Sequence, residues 1–443
     1  MGRERRCPLF DRITKAGADP GRWCVAEAAP SQSVAQVGLT WAAGRALFCR
    51  VSGLDHTLAE VASARDVGRA PSPPMGLVRT KRDLRIDFFR GLSLWWIFTD
   101  HVPADALGVL SIRNFALCDA TEVFVLLAGY AAGLAYGGTM RERGWLFAAA
   151  DVVRRAWTLY IAHIFLFVVF AAQVGLSATA LDRADFLDEI HLNVLGEAPY
   201  RALFEALTLH FQPAYLNILP LYVLILLLFA LALPLLRRPQ ILAGLSLGLY
   251  LVVRLFSLNL PSWTGGGWFF NPFAWQLLFT MGAILSYSPG EVRLAHRRGL
   301  DVAAGGVVVF GLLLQWVVWP YPGSIAWAPG PVISVLMNVD KGGLHPFRLI
   351  SILALTWLAV RLIRADAGWL RHWAAAPFVV AGQHSLPVFC AGIFLAFLGR
   401  LATEANGGAA MQVGVNLAGA VALWGVAWVA AWYASQGRSK RRA

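Results

Sequence analysis

The chain has 443 residues, of which 58% are hydrophobic and only 14% are charged, and its formal net charge is +12. A soluble domain carries about 25% charged residues; here the charges gather in short clusters between long apolar runs, which excludes an ordinary soluble protein. The positive balance does not point to nucleic acid, because the Lys and Arg lie beside apolar segments and recur in alternate connections, as orientation signals do.

Residues 1–75 contain scattered Arg, Ala and Gly and close on Pro71, Pro73 and Pro74. No apolar stretch there makes a signal-peptide core followed by a cleavage site. The region reads as a disordered cytoplasmic tail, with an over-extended start ahead of Met75 as the other reading. Residues 76–435 then form the membrane domain. Residues 436–443 form a basic cytoplasmic tail, whose Arg438, Lys440, Arg441 and Arg442 suit an anionic inner leaflet.

A crossing helix needs about 20 apolar residues. The runs predict spans at 87–107, 117–137, 155–175, 214–235, 240–258, 270–288, 303–320, 347–364, 377–399 and 412–433, with 200–213 as a separate amphipathic or re-entrant piece. The expected fold is an all-α polytopic integral membrane protein, about ten transmembrane helices in one bundle with a polar interior channel. The connections test the count. Basic ones (Arg79, Lys81, Arg82 and Arg85; Arg141, Arg143, Arg154 and Arg155; Arg237 and Arg238; Arg293, Arg297 and Arg298; Arg361, Arg364 and Arg371) alternate with neutral or acidic ones. Among the latter are the connection with Asp105 and Arg113, the acidic stretch Asp182 to Glu197, and the pair Asp340 and Lys341. This alternation places both termini in the cytoplasm.

An ionisable group in hydrocarbon is costly unless it faces the bundle interior, so it marks a candidate site. The first span holds Arg85, Asp87 and Arg90, then Asp100 and His101. Arg90 and His101 are eleven residues apart, about 1100° of helix rotation, which brings them within about 20° of one face and about 16 Å apart along the axis. A neutral imidazole accepts a proton and a carboxylate orients its ring, so His101 is a candidate base, with Asp100, Asp119 or Glu122 as partner. Asp119 and Glu122 open the second span and share a helix face. The bland readings are membrane anchoring for Arg85 and Arg90 and a structural polar network for the acids.

Further along, His163, His210, Gln212, Tyr215, Asn217, Tyr222 and Arg254 interrupt apolar sequence, and Pro220 and Pro387 are expected to kink their helices. The uncharged loop from Pro261 to Trp268 is either an interfacial loop with Trp anchors or a surface on which sugar rings stack. Cys7, Cys24, Cys49, Cys118 and Cys390 are odd in number and show no metal-ligand spacing. The chain contains no phosphate-binding G-x-x-x-x-G-K-[ST] loop, no H-E-x-x-H and no serine-hydrolase elbow, which disfavours an ATP-driven pump or a membrane metalloprotease.

Arg85-Ile86-Asp87-Phe88-Phe89-Arg90-Gly91 followed by His101 resembles the first-helix signature of the membrane acyltransferase-3 superfamily. The core from about Lys81 to Trp432 more closely resembles the OpgC family, associated with succinylation of osmoregulated periplasmic glucans. That resemblance runs through Asp100-His101-Val102-Pro103, Arg113-Asn114-Phe115, Asp119 to Phe124, Leu219 to Tyr222, Trp268 to Pro272, Trp275-Gln276 and His384 to Pro387. It implies an O-acyltransferase of the bacterial inner membrane, with His101 taking part in acyl transfer. No permanently bound cofactor or metal is expected. The donor would be succinyl-CoA or another acyl-CoA, with Arg85, Arg90 and Arg254 as its binding residues. The acceptor would be a periplasmic glucan or related envelope glycan, met by Arg113, Asn114, Trp268, Asn271, Trp275, Gln276 and His384. The lipid bilayer and glucan-synthesis proteins are the further partners. Selecting succinyl over acetyl needs a cation near the acyl terminus, for which Arg254 and Arg113 are candidates. The alternative is a secondary transporter or flippase for a glycan or other polar solute, since buried charges also line translocation paths.

Overall fold

The computed structural model describes residues 82–103, 106–287 and 298–439. The expected tail over 1–75, Arg79, Lys81, Asp105, Arg293, Arg297, the side chain of Arg438 and residues 440–443 lie outside the described residues.

The regular structure of the described residues is helical, with one isolated antiparallel bridge between Pro261 and Gly267. In chain order the helices are α1 (Leu84–Asp100), α2 (Ala120–Arg143), α3 (Trp145–Ala180), α4 (Asp185–Ile190), α5 (Val194–Glu197), α6 (Pro199–Leu207), α7 (Ile218–Ala232), α8 (Pro239–Phe256), α9 (Pro272–Tyr287), α10 (Arg298–Leu313), α11 (Gly330–Met337), α12 (Pro346–Leu362), α13 (Ala376–Gln383), α14 (Ser385–Ala405) and α15 (Ala409–Ser439). Local sequence sets several starts. The Asp83 carboxylate accepts the Arg85 N–H at the head of α1. Asp119 and Glu122 form a reciprocal capping box at the head of α2, satisfying two of the amides a helix start leaves without partners.

Each predicted span falls on a helix. Among the described residues, seven helical segments are long and apolar enough to cross a membrane: 120–143, 145–180, 218–237, 239–256, 298–318, 385–405 and 409–436. The other three expected spans, α1, α9 and α12, have 17, 16 and 17 residues. The fold is that of a helical membrane protein, and ten crossings exceed the seven segments that meet both criteria.

Three details differ from the sequence reading. The ninth span is two helices, α13 and α14, broken at His384. The Pro387 ring opposes the carbonyl four residues back, which is that of Gln383, the last residue of α13. Pro220 makes no kink. It lies in the first turn of α7, where an amide has no helical partner to lose. The piece near 200–213 is the short α6, which buries Ala202 and Ala206, followed by an irregular stretch.

Two close crossings fix the helices that carry the polar residues. On α2, a Cβ built at Gly129 would overlap the backbone of Phe279 on α9, and one at Gly282 would overlap the Leu126 carbonyl. On α1, a Cβ at Gly91 would overlap the Phe378 carbonyl of α13, and one at Gly382 would overlap the Asp87 carbonyl. Small residues at such positions let helix backbones approach where lipid offers no hydrophobic drive for association. The α1–α13 contact also shelters Asp87, which is 3% exposed and accepts from Arg82 Nε at 2.6 Å and Gln383 Nε2 at 3.3 Å.

Candidate functional site

His101 ends α1 as its C-cap. Its Nδ1 lies 2.5 Å from the Ile97 carbonyl oxygen. A carbonyl only accepts, so Nδ1 carries the proton, and in the neutral ring the lone pair is on Nε2. The ring sits 4.8 Å from that of Tyr215 and lines a cavity of about 490 Å³. The backbone therefore fixes the tautomer, in the role expected of a carboxylate. Asp100 points elsewhere: it accepts from Ser111 Oγ at 2.9 Å and forms an ion pair with Arg113 Nε at 3.2 Å.

Asp119 and Glu122 belong to a four-membered ion cluster. Arg348, at the start of α12, donates from Nε to Glu122 at 2.6 Å and from a terminal nitrogen to Asp119 at 3.0 Å. Lys341 Nζ lies 2.6 Å from Asp119. Glu122 is fully buried, and neither acid lines the His101 cavity, whereas Lys341 does. Lys341 and Arg348 escaped the sequence reading because each lies far along the chain from the acids it meets: Arg348 and Asp119 are 229 residues apart.

The turn that presents Lys341 is held from four directions. Asp340 accepts from Arg254 at 2.8 Å and from the Gly343 N–H at 2.8 Å. The Gly342 carbonyl accepts from the Asn271 N–H at 3.0 Å and from Trp275 Nε1 at 2.9 Å. The Tyr250 hydroxyl donates to the Leu344 carbonyl at 2.8 Å. Three residues expected to touch ligand, Arg254, Asn271 and Trp275, are thus placed as supports for this turn. Gln276 is likewise buried, paired with Ser246 through its oxygen at 2.7 Å and its nitrogen at 2.9 Å.

The loop 258–269 closes over the same cavity. Ser262, Thr264, Gly265, Gly267 and Trp268 line it, together with Gln212, Tyr215 and Asn217. The loop is pinned by the Trp263 N–H, which donates to the His210 carbonyl at 3.0 Å, and by the Trp263 ring set edge-on to Phe211. Trp268 is 6% exposed and its indole Nε1 is buried without a hydrogen-bond partner. A buried donor with no partner costs free energy until an acceptor reaches it.

A second cavity, of about 180 Å³, lies next to the first, sharing Ile218 and Phe389 as lining residues. It contains Arg90, Arg155, Tyr136 and Tyr222, together with Ser385 and Leu386 from beside the α13–α14 break. Arg90 donates to the Leu127 carbonyl at 2.8 Å. A third cavity, of about 350 Å³, shares Ala135, Tyr136 and Arg155 with the second and adds Thr139, Asp151, Arg154 and Thr158. Arg155 joins the last two cavities. Its sequence signal was present, as one member of a basic connection, without anything to single it out.

Arg85, Arg113, Asn114 and His384, also expected at the site, line none of these three cavities. Arg85 holds Asp83 and donates to the Ile363 carbonyl at 2.7 Å, in a separate, largely apolar cavity with Phe89 and Trp96. Arg113 pairs with Asp100, and Asn114 donates to the Gly108 carbonyl at 2.7 Å. His384 occupies the helix break. Among the described residues, no three His, Cys, Asp or Glu side chains are grouped as a metal site would need. Cys118 is buried and Cys390 is half-buried.

A family model described as OpgC protein matches residues 82–435. No curated protein matches the chain. No solved structure matches it.

Proposed function

The chain belongs to the OpgC protein family, which carries an acyltransferase role in glucan modification, and on that premise we propose that it moves a succinyl group from cytoplasmic succinyl-CoA onto hydroxyls of periplasmic glucans. The product is an O-acyl ester, and the protein works as a multi-pass enzyme of the bacterial inner membrane with both termini in the cytoplasm. The run of adjoining cavities from Arg154 and Arg155, past Arg90, to His101 is the observation that carries this reading. A donor bound on one side and an acceptor on the other need such a path. Ten crossings complete it, with α1, α9 and α12 spanning alongside the seven longer segments.

The residues divide the work along that line. Arg154 and Arg155, at the end of the bundle where the basic connections gather, bind the CoA phosphates. Arginine suits this because its planar fork donates to two oxygens at once. The pantetheine arm passes Arg90 and Tyr222. Helix rise puts Arg90 about 16 Å from His101, a span an extended arm of that kind can cover. The thioester then lies in the larger cavity beside His101, and the sugar enters under the 258–269 loop, where the Trp268 indole N–H and the Gln212 and Asn217 amides face it.

In the reacting step His101 Nε2 takes the proton of a sugar hydroxyl as its oxygen attacks the thioester carbonyl carbon. The new C–O bond forms, the C–S bond breaks, and the proton passes from the imidazole to the departing sulfur. General-base assistance of this kind contributes roughly 10²–10⁴-fold. The Ile97 carbonyl keeps Nδ1 protonated and so keeps Nε2 basic.

The test is reconstitution in sealed vesicles with labelled succinyl-CoA on the cytoplasmic face and glucan on the other. Label appearing as ester on the glucan is expected. Glucan or donor crossing the membrane unmodified, with no ester formed, would instead identify a transporter.

A further inference from the structure

We propose that Lys341 reads the far end of the acyl group, so that the donor this site accepts is one whose acyl chain ends in a carboxylate. The inference rests on the acyl-transfer reading and deepens it.

The charge pattern of the His101 cavity carries the argument. Among its described lining residues Lys341 is the single Lys or Arg, and no Asp or Glu is present. The acids that balance Lys341 lie behind it: Asp119 accepts from both Lys341 and Arg348, and Glu122 is bonded to Arg348. The cluster sums to zero charge, but the cavity meets only its positive end. A sugar hydroxyl has no charge to offer that end, and the CoA phosphates are at the opposite end of the route. The acyl chain is the reactant portion left to meet it.

Geometry supports the same role. An ammonium has three N–H donors, and Asp119 takes one of those of Lys341. The Phe270 ring lies 5.5 Å from Nζ and guards one side. A flexible lysine on a mobile loop would discriminate poorly, whereas this turn is tied by Arg254, Asn271, Trp275 and Tyr250. A site that hydrogen-bonds a charged ligand group disfavours the analogue lacking that group, because the ammonium donors that Asp119 does not take are then left unsatisfied.

The experiment compares succinyl-CoA with butyryl-CoA, which has the same number of acyl carbons and a methyl in place of the carboxylate. The readout is kcat/KM for ester formation in wild type, Lys341→Met and Lys341→Arg. Wild type is expected to favour succinyl by roughly tenfold or more, the worth of one charge-assisted hydrogen bond. Lys341→Met should bring the ratio close to one, and Lys341→Arg should keep most of it. A residue serving only to hold Asp119 would change both donors alike and leave the ratio fixed. An unbiased wild type, or an unchanged ratio in Lys341→Met, overturns the inference while acyl transfer stands. Failure of wild type to transfer either group overturns the acyl-transfer reading itself. Should Lys341→Met not fold, the wild-type comparison and the Lys341→Arg ratio decide: loss of preference in Lys341→Arg would count against recognition by charge.

Discussion

Replacing His101 by Asn separates the two jobs of the ring. The Asn side-chain amide sits near where Nδ1 sits and still donates to the Ile97 carbonyl, which the histidine contacts at 2.5 Å. Nothing in Asn reaches the position of Nε2. The turn at the end of α1 is therefore kept while the base is removed. Loss of a general base lowers kcat by roughly 10²–10⁴-fold, which is about 3–5 kcal/mol in the barrier. With the CoA phosphates at Arg154 and Arg155 as proposed, away from the His101 cavity, the KM for donor should change by no more than about twofold, as for an interaction used only in the transition state. The assay is ester formed per glucan under saturating donor, with thermal unfolding in detergent as the check on folding. The acid limb of the pH–rate profile should also disappear, since the group whose deprotonation it reports is gone. A well-folded Asn variant with a rate within threefold of wild type would refute the assignment of the base to His101.

Arg155→Ala should raise the donor KM roughly tenfold with little effect on kcat, the size of one lost charge-assisted hydrogen bond, and should flatten the dependence of KM on salt; an unchanged KM would remove Arg155 from the donor site. A cysteine at Thr264 should react with an impermeant maleimide in intact spheroplasts and one at Arg237 only after lysis; labelling of both from one side would break the proposed orientation. Gly129→Leu should lower thermal stability by roughly 1–3 kcal/mol or more through overpacking against Phe279, whereas Gly138→Leu, where an added Cβ meets nothing within 4 Å, should change it little; equal effects would mean the α2–α9 crossing is not tight. Trp275→Phe removes the bond to the Gly342 carbonyl and keeps most of the ring, so a loss of about 1 kcal/mol is expected, together with weaker preference between donors; unfolding and preference both unaltered would show that this bond does not hold the turn.

The helices were legible in the sequence because a membrane span is a local property: a long apolar run between charge clusters suffices for Trp145–Ala180 or Ala409–Gln436. The break at His384 was partly legible, since Pro387 announced an interruption without saying that two separate helices would result. His101 could be singled out because its cost in hydrocarbon is also local. Arg254 drew attention for the same reason and Asn271 and Trp275 through the family resemblance, yet their hydrogen bonds go to the turn at 340–343. A polar residue in an apolar segment must find a partner, but sequence does not tell whether that partner is ligand or backbone. Lys341 shows the converse. In a polar connection its charge costs nothing and stands out in no pattern, and its proximity to Asp119 comes from tertiary packing alone.

The 340–344 turn hangs from α8 and the start of α9, while His101 hangs from the tip of α1. On the proposed reading, selectivity for cargo and the machinery of bond exchange would thus be suspended from separate beams. Altered sequence in the turn can retune which cargo is admitted, lengthening or shortening its permitted reach, without disturbing the imidazole. If both proposals hold, changes confined to the turn would alter which cargo is admitted and leave the reaction itself unchanged.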